Sequence, residues 1–234
     1  MLKYQQIANQ IEHYIEQHQL QQGSKLPVLE TLMENFSSSK STIIKALDLL
    51  EKKGLIFQVR GSGIFVRRKS RRGYINLLSN QGFKKDLEEF DITTEMISLE
   101  IVKPTQEAAD NLQIAKDQDV YHVKRIRYIS GQTLCLEESY YDKSIVTYLN
   151  KQIVTESIFD YIREGLGLNI GFSEMYIKTG KLTDEESEYL KLPTADPKLI
   201  MESIFFLANG TPFDFSKVTY NHEQSQFFLL GTGL

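Results

Sequence analysis

Apolar residues recur at helical spacing in three separate stretches near the start of the chain. Ile7, Ile11 and Ile15 form one stripe, and Leu29, Leu32, Met33 and Phe36 form a second after the turn Gly23-Ser24-Lys25-Leu26-Pro27. Ile43, Ala46, Leu47 and Leu50 form a third, while Lys40, Ser41, Ile44, Lys45 and Asp48 fall off that stripe. Such spacing buries one helix face and leaves the other free. Ser39 stands where an N-cap belongs, and Gly54, after Lys52 and Lys53, supplies a left-handed stop behind a cationic last turn. The period then shortens. Residues 55–59 and 64–66 are β-prone runs joined through Arg60-Gly61-Ser62-Gly63, which predicts a hairpin with a basic tip poor in side chains.

Beyond the hairpin, strand-like runs occupy 95–102, 119–129, 133–141, 170–179, 199–207 and 213–220. Ser130-Gly131-Gln132 and Ala208-Asn209-Gly210-Thr211 are natural hairpin loops between two pairs of them. Helices are predicted over 105–112, 157–164 and 183–190, the last opened by a Thr183/Glu186 capping box. The resulting fold class is α+β, with a mainly antiparallel sheet. The expected organisation is an amino-terminal domain over 1–68, a linker over 69–76, and a second domain over 77–234 with a sizeable core.

Charge separates the two parts. Residues 1–72 hold 12 Lys+Arg against 6 Asp+Glu, whereas the remainder carries 15 against 25. A locally basic domain on an acidic protein meets the requirement for attraction to a phosphate backbone. The order helix, helix, helix, hairpin is that of a winged helix-turn-helix, whose last helix enters the major groove. From periodicity alone, a small helical domain that binds protein is the alternative. The run Arg67-Arg68-Lys69-Ser70-Arg71-Arg72 follows the hairpin directly and reads as a basic linker within reach of phosphates.

Tyr4-Gln5-Gln6-Ile7, Gly23-Ser24-Lys25-Leu26-Pro27, Ser39-Lys40-Ser41-Thr42, Ala46-Leu47, Gly54-Leu55-Ile56 and Gly61-Ser62-Gly63-Ile64-Phe65-Val66 resemble the amino-terminal domain of GntR-type bacterial transcription regulators. The resemblance implies that Ser39, Lys40, Thr42 and Lys45 face DNA and that Arg60, Gly61 and Ser62 form the wing tip. Two positions depart from the family pattern. Val28-Leu29-Glu30 stands where Ser-Glu-Arg is usual, and Lys40 stands where Arg is common, so a point charge replaces a bidentate fork.

In Tyr121-His122-Val123-Lys124-Arg125-Ile126-Arg127 the two arginines lie two apart on one strand and project from the same face. Such a pair clamps a phosphate or carboxylate, or else forms a solvent-facing cationic stripe or a cross-strand ion pair with Glu137. The second domain resembles the effector-binding (UTRA) domain of the HutC branch, which shares its fold with chorismate lyase. That resemblance implies that Arg125 and Arg127 take the anionic end of a sugar phosphate, and that Glu137, Asp214 and Tyr220 meet its polar body. It also matches Ser157-Ile158-Phe159 to a Ser-x-Tyr motif at a helix start, with Phe159 in place of the tyrosine. Ser79, beside Asn80, is a further candidate contact.

The implied protein is a cytoplasmic, homodimeric, ligand-released repressor of a near-palindromic operator in double-stranded DNA, with no cofactor. A chorismate-lyase-like enzyme is the rival class. The histidines His13, His18, His122 and His222 lack metal-ligand spacing, and no nucleotide-binding glycine motif is present. Cys135 is the single cysteine, which excludes an intrachain disulfide. No apolar run approaches the ~18 residues of a membrane span.

Overall fold

The computed structural model describes residues 2–68, 73–76, 87 and 90–229. They fall into two compact units, one formed by the amino-terminal helices and hairpin and the other within Gly73–Phe227.

The amino-terminal unit runs α1 (Lys3–Gln17), α2 (Leu29–Asn35), α3 (Lys40–Lys52), β1 (Ile56–Val59) and β2 (Gly63–Val66). The three apolar stripes meet in one core, in which Ile7, Ile11 and Ile15 of α1 pack with Leu32 of α2 and Ile43, Ala46, Leu47 and Leu50 of α3. Helix α3 ends because Gly54 adopts φ +75°, and the Leu55 N–H then reaches back to the Leu50 carbonyl at 3.0 Å. A 2.6 Å ion pair from Lys53 to Glu12 ties this end to α1. In the hairpin, Ile56, Ile64 and Val66 point into the core. The segment Ser24-Lys25-Leu26 lies along β2, with Leu26 N–H on the Ile64 carbonyl and Val66 N–H on the Ser24 carbonyl, both at 2.8 Å. The turn that the sequence marks with Gly23 and Pro27 therefore also braces the hairpin.

The second unit contains β3 (Ile75–Asn76), β4 (Ile92–Val102), α4 (Gln106–Leu112), β5 (Val120–Ile129), β6 (Gln132–Asp142), α5 (Lys151–Thr155), α6 (Ile158–Asp160), β7 (Ile170–Lys181), α7 (Asp184–Leu190), β8 (Pro197–Leu207) and β9 (Pro212–Tyr220). Six of these strands form one antiparallel sheet in the order β4-β5-β6-β9-β8-β7. It is two three-stranded meanders joined through β6 and β9. Ser130 and Gly131, both at positive φ, close the β5–β6 hairpin, as the sequence predicts.

One face of the sheet is covered by α4, whose Ala108 and Leu112 pack with Ile204, Phe206 and Phe215, and by α7, whose Leu190 packs with Leu136. On the other face Val154, Ile158 and Ile162 pack with Tyr121, Val123 and Tyr141. Farther along, Ile75, Leu87, Met201, Val218 and Tyr220 form a separate cluster. The helix expected over 157–164 is only partly α-helical: after Asp160 the backbone widens into a π-turn, Tyr161–Gly165, with Leu166 N–H on the Tyr161 carbonyl. Gly165 allows this, since a Cβ there would lie 2.6 Å from the Tyr161 ring. Helix α5 and strand β3 have too few residues to show a period, and sequence reading misses both.

Candidate functional site

The candidate residues of the amino-terminal unit stand at two places. Ser39 caps α3: its Oγ accepts from Thr42 N–H at 3.4 Å and lies 2.9 Å from Thr42 Oγ1 and 3.1 Å from Ser41 Oγ. Lys40 and, just over one turn later, Lys45 are exposed, as is Ile44 between them. At the hairpin tip Arg60, Gly61 and Ser62 are all exposed, and Gly61 takes φ +78° with open space where a Cβ would be. Helix start and tip are thus bare and cationic, while the faces behind them are packed. A separate cleft of about 550 Å³, lined by residues such as His13, Tyr14, Pro27 and Phe36, contains none of these residues.

In the second unit, register brings most of the other candidates together. Strand β6 places Glu137 opposite Arg125 and Cys135 opposite Arg127. Strand β9 places Ser216 opposite Ser139, Asp214 opposite Tyr141, and Tyr220 opposite Cys135. All of these side chains belong to one sheet face, because positions two apart on a strand share a face. Arg125 Nη2 donates to Glu137 Oε1 at 2.6 Å and Arg127 Nε donates to Oε2 at 3.2 Å, so both arginines pair with one carboxylate. Arg125 Nη1 also donates to the Val154 carbonyl on α5 at 2.7 Å, and Arg127 Nη1 to Thr94 Oγ1 at 3.3 Å. Arg125, Arg127, Glu137, Asp214 and Tyr220 are all buried. The cross-strand ion pair, one of the alternatives the sequence leaves for the arginines, is therefore formed in this structure, and the burial of both side chains rules out a solvent-facing cationic stripe.

Electrostatics follow from this enclosure. Burial alone would raise the Glu137 pKa, but the charges and hydrogen bonds of Arg125 and Arg127 outweigh it and bring the group down to about 2. Asp214 goes the other way: burial, reinforced by the nearby Glu137 charge, holds its carboxyl well above the usual range. Burial likewise raises Tyr141 and Tyr220, and lifts the Cys135 thiol to about 12. Two guanidinium groups thus share one firmly ionised carboxylate. Arg125 Nε, also buried, has no hydrogen-bond partner among the described residues.

Ser157 and Phe159 are half-buried on the segment above this face. The Ser157 hydroxyl accepts from Asp160 N–H at 3.2 Å, capping α6. The Phe159 ring meets Phe205 edge-on at 4.7 Å, and Phe205 is the β8 neighbour of Asp214. Tyr220 lies at the other end of the cluster, edge-on to Phe227 at 4.7 Å. Ser79, with Asn80, lies outside the described residues. Sequence reading does not single out Ser139, Tyr141 or Thr94. Its usable signal is the alternation Glu137, Ser139, Tyr141, three polar groups on one face of a strand whose surroundings are apolar. His122, by contrast, faces the opposite side, where Nε2 lies 2.7 Å from Glu138 Oε1 and the ring stacks on Tyr140.

Among the described residues, no helix is long and apolar enough to cross a membrane. Comparison with known proteins covers both units. Residues 3–66 match the family described as "Bacterial regulatory proteins, gntR family", and residues 88–226 match the "UTRA domain". The "Uncharacterized HTH-type transcriptional regulator YydK" of Bacillus subtilis (strain 168) is 69% identical over 227 residues, 97% of this chain and 96% of its own length. The crystal structure of that possible transcriptional regulator superposes with a TM-score of 0.86 at 65% identity, covering 99% of this chain and 100% of the other. The "HTH-type transcriptional regulator GmuR" of the same strain is 30% identical, over 96% of each chain. The "Mannosyl-D-glycerate transport/metabolism system repressor MngR" of Escherichia coli (strain K12) is 28% identical over 97% of this chain and 95% of its own.

Proposed function

This chain belongs to the GntR family of bacterial transcription regulators and carries an effector-binding UTRA domain; from that premise we propose that it is a homodimeric repressor released from its operator by a small anionic metabolite. It is a regulator, not an enzyme. The observation that carries the anionic effector is the buried pairing of Arg125 and Arg127 with the single carboxylate of Glu137. An incoming phosphate or carboxylate competes with Glu137 for guanidinium groups whose forked donors suit it. Glu137, Asp214 and Tyr220 then meet its polar body, with Ser157 and Phe159 above and Ser79 as a further contact. Repression agrees with the name of one relative, a repressor of a mannosyl-D-glycerate system.

On the DNA side, Ser39, Lys40, Thr42 and Lys45 meet the major groove, and Arg60, Gly61 and Ser62 meet the backbone or minor groove. One such head reads only a few base pairs, so two heads on a near-palindromic site are the economical way to gain affinity. Within the second unit, effector contact reaches beyond the sheet, since Arg125 also holds the Val154 carbonyl of α5. The linker over 69–76, most of it outside the described residues, carries the change onward. A coupling of about 1–3 kcal/mol between the sites suffices for a useful loss of operator affinity.

The effector is a sugar phosphate in the first reading. Phe159 favours a second, an acidic metabolite without phosphate, because the aromatic ring brings no hydroxyl to the anion. A gel shift with DNA from the gene's own promoter region, run over a salt series and then with sugar phosphates and sugar acids, tests both. Absence of a specific shift at every salt sinks the repressor; a specific complex that ignores every anion sinks the effector class.

A further inference from the structure

A proton count along the buried cluster yields a property of this site that pairing alone does not reveal. Glu137 Oε1 lies 3.1 Å from Ser139 Oγ, Ser139 Oγ lies 2.9 Å from Ser216 Oγ, and Ser216 Oγ lies 2.6 Å from Asp214 Oδ1. These are three oxygen–oxygen approaches at hydrogen-bond distance in a row. Each needs one proton, and the two serine hydroxyls bring only two. If both carboxyls were ionised, one approach would set lone pairs against lone pairs in a buried place, where an unmade hydrogen bond is expensive. A third proton must therefore sit at one end of the row. Glu137 is the wrong end, because two guanidinium groups hold it as a carboxylate. Asp214 is the right end.

We infer that Asp214 carries a proton and donates it to Ser216, that Ser216 donates to Ser139 and that Ser139 donates to Glu137, a one-way chain in which Asp214 is the neutral acid and Glu137 the charged one. The inference deepens the anion-receptor reading of the same site and rests on it. Ser139 and Ser216 are then positioning residues. They aim Glu137 Oε1 and fix the direction of every hydrogen bond between the two acids. All four side chains are buried.

The surroundings of Asp214 favour this assignment on balance. Tyr141 and Glu137 stand on β6 and Arg125 on β5; the β8 neighbour, Phe205, is uncharged. Phe159, on the segment above, meets that Phe205 edge-on and is also uncharged. Burial, joined by the Glu137 charge, outweighs the Ser216 and Tyr141 hydroxyls and the Arg125 charge, and pushes Asp214 toward its neutral form. With Asp214 neutral, an anion entering the cluster is spared the repulsion of a second carboxylate.

Infrared spectroscopy of the full chain at neutral pH tests the assignment. The difference between the wild-type protein and Asp214→Asn should contain the C=O stretch of a carboxylic acid, present in the wild type and absent from the variant. A difference spectrum without that band overturns the proposal. Ser216→Ala, which removes the acceptor of the Asp214 proton and does not depend on how well Asp214→Asn folds, should keep the band but move it to higher frequency; an unmoved band overturns the chain. Inorganic phosphate titrated into the wild-type protein separates this from the functional reading. Binding that shifts the band supports a chain continuous with the anion site, and binding that leaves it unmoved overturns that continuity. No phosphate binding with the band intact removes the phosphate reading of the site and leaves the proton where it is.

Discussion

Arg125 and Glu137 face each other across the β5–β6 ladder and close a buried 2.6 Å ion pair whose carboxylate also takes Arg127 at 3.2 Å. The carboxylate is the shared member of this group, so its removal is the costliest change, because it leaves buried guanidinium groups without the charge that compensates them.

Glu137→Gln removes the carboxylate that Arg125 and Arg127 share. Unfolding of the full chain in urea should show a loss of about 3–5 kcal/mol, the range for breaking a buried pair. The acid limb gives a second reading. The folded Glu137 pKa lies at about 2, below its ordinary 4.5, so its contribution is fully present above pH 4.5 and is lost as pH falls toward 2. The variant should lack that slope. A wild-type acid limb in Glu137→Gln counts against the ion pair as the source.

Arg127→Ala keeps the Arg125–Glu137 pair and removes the second cation. Operator binding should survive, while release by the inducer should demand at least about tenfold more of it, a loss of roughly 1.4 kcal/mol. Gel shifts titrated with the inducer check this. An unchanged release curve would mean that the anion site lies elsewhere.

Lys45→Ala removes an exposed charge from α3 and no packing. Operator affinity should fall at low salt, and the slope of log K against log salt should shrink by about 0.9 for each phosphate that a head no longer neutralises. Inducer affinity should stay as it was. An unchanged salt slope would place Lys45 off the DNA.

Phe159→Tyr adds a hydroxyl to a ring packed edge-on against Phe205. If that ring borders the anion site, inorganic phosphate should bind about five- to tenfold more tightly by calorimetry, the worth of about one hydrogen bond. Equal affinities in the two proteins would remove Phe159 from the site.

Much of the fold was legible because its signals are local. The spacing of Ile43, Ala46, Leu47 and Leu50 defines the buried face of α3, and Ser39 and Gly54 mark its ends. Every strand expected in the second unit is present within a few residues of its predicted limits. The same-face placement of Arg125 and Arg127 needed only the two-residue period of a strand. Misreadings came where the signal was short or shaped by a distant neighbour. Helix α5 is five residues long, and the π-turn after α6 depends on how the Tyr161 ring lies over Gly165.

What the sequence by itself determined is the set of elements, the face each presents and the identity of the charged groups, since these depend on neighbours within a few positions. What only the tertiary structure decided is their pairing. Ser139 and Ser216 are 77 positions apart, and nothing local predicts that β6 and β9 would align them between Glu137 and Asp214. Register arises from long-range strand pairing under the constraint of a shared core, and a slip of one residue would send each of these side chains to the opposite face. The two arginines could be read from the chain; their shared carboxylate, and the proton that Asp214 keeps at the far end of the serine row, follow from the register.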